Sequence, residues 1–106
     1  MQEVEVARFE SAGDVRRVCM SWDEGRLVIR EDVSGPSALV AYGEASRSLV
    51  VMLDKESAAR LLACFGGEKA LRQQLSQPNF DVIDLMELCD REGCRYQQIS
   101  QIPAQN

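Results

Sequence analysis

The sequence predicts an α+β domain in which an antiparallel sheet comes first, helices follow, and one more strand ends the fold. Two observations support this prediction. In the first half of the 106-residue chain, apolar runs of strand length are separated by turn residues. In the second half, apolar residues recur at helical spacing between capping residues. We therefore expect an antiparallel meander sheet of about five strands, then two or three helices packed on one face, and a final C-terminal strand.

Five runs in the first half have the composition of strands. Residues 3–9, 15–22 and 26–30 alternate between apolar and polar side chains, as is typical of strands with one buried face. Residues 38–43 and 48–53 are continuous apolar runs, which predicts strands covered on both faces. The connections between the runs are short, so consecutive strands should pair antiparallel.

Two of these connections have informative turn residues. Residues 23–25 form a hairpin-length connection in which Gly25 can adopt a positive φ. The connection at 31–37 is longer, and its Gly35–Pro36 pair cannot continue a strand ladder. We therefore expect a loop there, and we expect Glu31 and Asp32 to be solvated within it.

Three runs in the second half predict helices, at 55–65, 68–77 and 81–93. The carboxylate of Asp54 can cap the first helix by accepting the backbone N–H of Glu56 or Ser57. A glycine pair at 66–67 predicts the joint between the first two helices. In the third helix, we expect Ile83 to widen the apolar face.

Residues 94–100 predict one more strand, for which an edge position and a position beside the first strand are both open. We expect residues 1–100 to form a single domain and residues 101–106 to form a flexible C-terminal tail. A chain of this length can bury one core without a metal or a disulfide.

Composition excludes several classes of function. The formal net charge is −5, and the basic residues are scattered, which argues against nucleic acid because phosphate binding needs clustered Lys and Arg. No apolar run reaches the roughly 18 residues of a membrane span, and the N-terminus lacks the pattern of a secretory signal. The expected location is therefore the cytoplasm.

The chain has no histidine, which removes Ser–His, Cys–His and His–metal sites. Its four cysteines, at 19, 64, 89 and 94, contain no C-x2-C pair, so a zinc site is not expected. Packing in the core is the default role for each thiol, although Cys89 and Cys94 could approach each other. We expect no cofactor, no metal and no catalytic residue.

Carboxylates cluster at 23–24, at 31–32 and along the third helix. Charges in turns and on helix faces are usually solvated, but they can also contact a basic partner. Trp22 lies beside the first of these clusters and suits either the core or the rim of an interface. The residues predicted to bind a partner are Trp22, Asp23, Glu24, Glu31 and Asp32.

The leading functional hypothesis is a small acidic, non-catalytic protein-binding module, similar in action to an inhibitor or an immunity protein, that occludes a surface of another protein. The alternative is a structural or regulatory subunit that self-associates, for example as a homodimer, through an open sheet edge or an uncovered sheet face. An enzyme that uses cysteine or carboxylates is the third hypothesis.

Overall fold

The structure, a computed structural model, describes the backbone of residues 3–101 and the side chains of residues 3–99. These residues form a five-stranded antiparallel sheet and four helices. In chain order the elements are β1 (Val4–Ser11), β2 (Asp14–Asp23), β3 (Arg26–Ser34), α1 (Pro36–Tyr42), β4 (Ser46–Leu53), α2 (Lys55–Phe65), α3 (Glu68–Leu75), α4 (Val82–Glu92) and β5 (Gln97–Gln101).

The strands lie side by side in chain order, β1-β2-β3-β4-β5, and each pairs antiparallel with the next. The predicted α+β fold with a meander sheet and a final C-terminal strand is confirmed. Of the two positions that the sequence left open for the last strand, β5 occupies the edge, where it pairs with β4.

The prediction of a strand at 38–43 is wrong, because these residues belong to helix α1. Pro36 is the first helical residue, where its fixed φ suits a helix and its missing N–H costs no hydrogen bond. Gly43 ends the helix in the left-handed conformation and donates its N–H to the carbonyl of Leu39. The first half of the chain therefore contributes four strands, and β5 is the fifth.

The predicted loop at 31–37 is also shorter than expected. Strand β3 continues to Ser34, so Glu31 and Asp32 are strand residues rather than turn residues. They pair with Leu49 and Ser48 of β4, respectively. Because successive side chains of a strand point to opposite faces, Glu31 faces the helices and Asp32 faces away from them.

One face of the sheet carries the core. Alternate residues of β2, β3 and β4 pack there against α2, α3 and α4. The fully buried large side chains on this face and on the helices include Met20, Leu27, Ile29, Val51, Leu53, Leu61, Leu71, Leu75 and Leu85. The opposite face of the sheet has no helix of the described residues against it.

The three predicted helices are present, although α3 ends at Leu75, two residues before the predicted end. Asp54 accepts the backbone N–H of Ser57 at 2.7 Å and caps α2. Asp81 and Asp84 form a reciprocal capping box at the start of α4. Asp81 and Asp84 therefore bind backbone groups of α4, although the sequence alone also allowed them to be solvated side chains on the surface of this helix.

Part of the predicted tail is ordered into the sheet. Gln101 is the last residue of β5 and pairs with Ser48. Residues 102–106 lie outside the described residues.

Candidate binding surface

The five residues predicted to bind a partner lie in three different places. Asp23 and Glu24 are at the β2–β3 turn, where Arg26 Nη2 lies 2.9 Å from Asp23 Oδ2. Trp22 lies next to this turn but on the helix-covered face, half-buried against the core. The turn thus offers two exposed carboxylates without the exposed aromatic anchor that we expected beside them.

Glu31 is on the helix-covered face and is only 8% exposed. Its Oε2 accepts Arg16 Nη1 at 2.8 Å, and Arg16 also donates to the carbonyl of Pro78 and stacks over the ring of Phe9. Burial raises the pKa of Glu31 more than the ion pair with Arg16 lowers it, and the nearby carboxylate of Asp81 adds to the increase. Glu31 therefore joins β3 to its neighbours rather than offering a free charge.

Asp32 is on the helix-free face and belongs to a network of ion pairs. Its carboxylate accepts a hydrogen bond from Arg30 Nε at 3.1 Å and another from the hydroxyl of Ser48. Its Oδ2 also lies 3.8 Å from Arg17 Nη1. Glu3 and Glu5 extend the network through Arg30 and Arg17, at 2.9 and 2.5 Å. Partner binding by the five residues stays a prediction, but they do not form one surface.

The same network covers Cys19, which is 1% exposed although it is on the helix-free face. Burial raises the pKa of its thiol. Cys94 is also buried and has a raised pKa, and burial raises the pKa of Cys89 to about 12. These three thiols stay protonated near neutral pH, which makes them poor nucleophiles. Cys64 differs from the predicted core role because it is exposed.

The largest depressions of the surface contain few free reactive groups. One of about 360 Å³ is lined by Arg26, Arg95 and Asp54, among others, but Asp54 caps α2 and contacts Arg95 at 3.3 Å. Another, of about 570 Å³, is lined by the protonated thiols of Cys89 and Cys94. Within residues 3–101, no three Cys, Asp or Glu side chains are placed to hold a metal ion.

Helix α1 presents the most conspicuous apolar surface. Six large hydrophobic side chains are exposed among the described residues, and three of them, Leu39, Val40 and Tyr42, lie on this one seven-residue helix. Val40 is 88% exposed. Only Ala38 of α1 is buried, so the helix places its small residue inward and its large apolar residues outward.

This helix is held firmly although it is short. The carboxylate of Asp14 accepts the backbone N–H of Ser37 at 2.8 Å and its hydroxyl at 2.5 Å, and these bonds lower the pKa of Asp14. Gly35 donates to the carbonyl of Ala45 at 2.9 Å. A Cβ at Gly35, where φ is 111°, would lie 2.5 Å from the carbonyl oxygen of Gly13, so only glycine fits.

The apolar surface continues from α1 to α4. Tyr42 and Ile83 line the two sides of a small cavity of about 80 Å³, with Asp81 and Glu31 at its polar end. The guanidinium of Arg47 stacks 4.6 Å above the ring of Tyr42. Ile83 is exposed here, contrary to the prediction that it widens the buried face of α4. We call Leu39, Val40, Tyr42 and Ile83 the α1 surface.

Comparison with known proteins does not add a function. No protein-family model matches the chain, no curated protein matches it, and no solved structure matches it. Among the described residues, no helix is both long enough and apolar enough to cross a membrane.

The sequence held a signal for the α1 surface that the apolar pattern obscured. A proline at 36 followed by a glycine at 43 is the arrangement of a short helix with Pro at its first position and Gly after its last. These two residues indicate a helix at 36–42 instead of a doubly covered strand. That its large apolar residues are exposed is shown only by the structure.

Proposed function

We propose that this chain is a small, non-catalytic protein-binding domain that uses the α1 surface to occlude a groove on another protein. The observation that carries the proposal is the outward placement of Leu39, Val40 and Tyr42 on a helix whose only buried residue is Ala38. Tyr42 and Ile83, which line one small cavity, extend this apolar exposure to α4, and exposed apolar patches are typical of protein interaction sites.

The α1 surface has the properties of a preorganised anchor. Asp14 and Gly35 fix the start of the helix, so little conformational entropy remains to be lost when it binds. Tyrosine is enriched at the energetic centres of interfaces, and Tyr42 combines an exposed ring with a cationic neighbour, Arg47. A short helix with outward apolar residues fits an apolar groove.

Charge indicates what surrounds that groove. The chain carries a net charge of −5. Glu87 is exposed one helical turn after Ile83, and Asp81 lies in the cavity beside it. On the α4 side, these carboxylates favour Lys or Arg at the rim of the partner's groove, whereas on the α1 side Arg47 favours an acidic residue there.

The α1 surface and the acidic β2–β3 turn cannot form one compact site. Strand β2 begins beside α1 at Asp14 and ends at Asp23, nine residues later. At about 3.3 Å per residue, the two ends of such a strand are about 30 Å apart. The turn and the α1 surface are therefore separate candidates, and they can be tested separately.

The test uses one variant that introduces a charge on the α1 surface and one that reverses the charges of the β2–β3 turn. The wild-type chain is immobilised, the proteins it retains are identified by mass spectrometry, and the dissociation constant of each purified partner is measured. We expect Val40→Asp to weaken binding at least tenfold, because it places a charge in the apolar contact. Val40 is almost fully exposed, so the thermal midpoint of this variant should match that of the wild type.

The matched control is Asp23→Lys with Glu24→Lys, which changes the exposed turn and leaves α1 intact. Its affinity should stay within about threefold of the wild type if the α1 surface is the contact, apart from a loss of long-range attraction that added salt removes. Equal binding by Val40→Asp and the wild type would refute the proposal. Loss of binding only in the turn variant would assign the contact to the turn instead.

A further inference from the structure

The two edges of the sheet differ in how they are protected. Strand β1 carries Glu5, Arg8 and Glu10, and its register with β2 is interrupted between Glu5 and Ala7. Charges and irregular pairing both prevent another strand from adding to an edge. The hydroxyl of Ser76, which follows α3, also reaches the carbonyl oxygen of Val6 at 3.5 Å. The β1 edge is therefore blocked.

The β5 edge has none of these devices. Its sequence, QQISQ, contains no charged residue and no proline, in a chain that is 27% charged. Among the described residues it pairs on one side only, with β4. Ile99 is in the middle of the strand, is 39% exposed, and lies opposite Val50 on the helix-free face. Within residues 3–101, no other strand lies beside this edge, so the outward backbone groups of β5 can pair with a further strand.

We propose that β5 pairs antiparallel with β5 of a second copy of this chain, joining two five-stranded sheets into one continuous sheet. Directly opposite residues of an antiparallel pair lie on the same face of the sheet. A two-fold axis between the two β5 strands must therefore place one residue directly opposite its own copy, and not opposite the next residue in the chain. An axis through Ile99 is the one that pairs all five residues, 97 with 101, 98 with 100 and 99 with itself.

Symmetry explains why an uncharged strand is suited to pairing with a second copy of itself. A residue at a two-fold axis meets its own copy, so any charge there would face a like charge. Pairing about Ile99 places no charge opposite its copy, because every residue of β5 is neutral. The nearest basic residue, Arg95, precedes β5 by two residues, so no residue of the partner's β5 lies opposite it. Ile99 meets Ile99 and loses its exposure.

The contact is small, so the dimer should be weak. One strand pair of five residues falls below the interface area of stable complexes, and we expect a dissociation constant on the order of micromolar or higher. Each copy carries a net charge of −5, so the copies repel each other at long range. Added salt screens this repulsion and should strengthen the dimer, whereas it should weaken binding of a basic partner at the α1 surface.

Single cysteines test the register directly. In a Cys64→Ser background, which removes the exposed native thiol, we introduce Ile99→Cys or Gln97→Cys. At the proposed register only position 99 faces itself, so Ile99→Cys should form intermolecular disulfides at least tenfold faster than Gln97→Cys under mild oxidation. Both side chains are exposed, and circular dichroism confirms the fold of each variant.

Sedimentation provides the second measurement on the unmodified chain. The wild type should show a mass that rises from 11.8 kDa towards twice that value with increasing concentration, and Ile99→Lys should remain monomeric. Equal cross-linking at positions 97 and 99, or a wild-type monomer at millimolar concentration, would overturn the proposal. Neither result bears on α1, because the α1 surface is intact in all of these variants.

Discussion

The two faces of the sheet are built from alternate residues of the same strands, yet they exclude water in different ways. On the helix-covered face, Leu27, Ile29, Val51 and Leu53 are fully buried beneath three helices. On the helix-free face, arginine and carboxylate side chains lie over the strands, and Cys19 is buried beneath them. One face is closed by apolar packing beneath the helices. On the other face, a network of ion pairs covers part of the sheet, and apolar side chains such as Val28, Met52 and Ile99 stay partly exposed.

Glu31 and Asp32 show most directly what this difference means. They are consecutive residues of β3, but Glu31 is buried against one arginine while Asp32 is in a partly solvated network with several partners. A carboxylate in a low-dielectric environment depends on the few fixed groups around it, whereas a carboxylate near water can exchange one partner for another. The same chemical group therefore has different consequences on the two faces.

Adjacent residues of β4 offer the largest test of the comparison. Leu53 is fully buried on the helix-covered face, and Met52 is half-buried on the helix-free face. We expect Leu53→Ala to lower the free energy of unfolding by about 3 kcal/mol, because it leaves a cavity in packed surroundings. Met52→Ala should cost about 1 kcal/mol or less. Urea unfolding followed by circular dichroism measures both.

A similar loss in the two variants would contradict this account, since it would mean that the helix-free face is as tightly packed as the core. Val28→Ala provides a further control, because Val28 is also half-buried and also faces away from the helices. Its loss should resemble that of Met52→Ala and not that of Leu53→Ala.

The helices that pack on the core could be predicted because their signals are local. The caps of α2 and α4 join side chains and backbone groups only three residues apart, at Asp54 and Ser57 and at Asp81 and Asp84. The Asp54 cap was predicted from this local pattern, whereas Asp81 and Asp84 were predicted to lie on a solvated face although their spacing is also that of a capping box. The antiparallel pairing of β1, β2 and β3 followed similarly from short connections. The pairing of β3 with β4 did not, because helix α1 lies between them where the sequence predicted another strand.

Helix α1 could not be predicted from the apolar pattern because its support is distant in sequence. Asp14, which holds the start of α1, precedes Ser37 by 23 residues. This contact needs β2 to pair with β3, which places Val15 opposite Ser34 and brings Asp14 near Ser37. The candidate surface was missed for the same reason: an apolar run that would be buried as a strand is exposed as a short helix at the end of the sheet.

The predicted grouping of acidic residues failed at β3 for a different reason. Its ending was placed after Arg30, so Glu31 and Asp32 were assigned to one solvated loop. Strand β3 in fact extends to Ser34, and the period of two separates the neighbours onto opposite faces. A boundary error of four residues thus changed the expected environment of Glu31 completely, because a buried position needs Arg16 and the start of α4 around it.

Double-mutant cycles sharpen the comparison between the faces. Arg16 and Glu31 are mostly buried, with 18% and 10% of their side chains exposed, so Glu31→Ala should cost about 2–3 kcal/mol by leaving Arg16 without its partner. The coupling energy of the cycle with Arg16→Ala should be about 2 kcal/mol. The equivalent cycle for Arg17 and Glu5 on the helix-free face should give a smaller coupling energy, because water screens that pair.

The cycles use denaturant unfolding in low salt and in 0.5 M salt, at about 25 °C. Salt should reduce the Arg17–Glu5 coupling and leave the Arg16–Glu31 coupling nearly unchanged, since ions do not reach the buried pair. Equal couplings with equal salt dependence would show that burial does not distinguish the two pairs.

The smallest expected effect is that acidification changes the stability contributed by Glu31 and that contributed by Glu5 in opposite directions. The pKa of Glu31 is raised above its ordinary value of 4.5 by burial, so the folded state holds this proton more tightly than the unfolded state does. The stability of the wild type relative to Glu31→Gln should therefore increase as the pH falls from 7 towards about 4.5.

The pKa of Glu5 is lowered, chiefly by its hydrogen bond with Arg17, so its contribution to stability is present above pH 4.5 and is lost as the pH falls below that value. The stability of the wild type relative to Glu5→Gln should accordingly decrease on acidification. Urea unfolding of the three proteins between pH 7 and pH 3.5 measures both trends, and equal signs for the two variants would mean that the two faces do not hold their carboxylates in different environments.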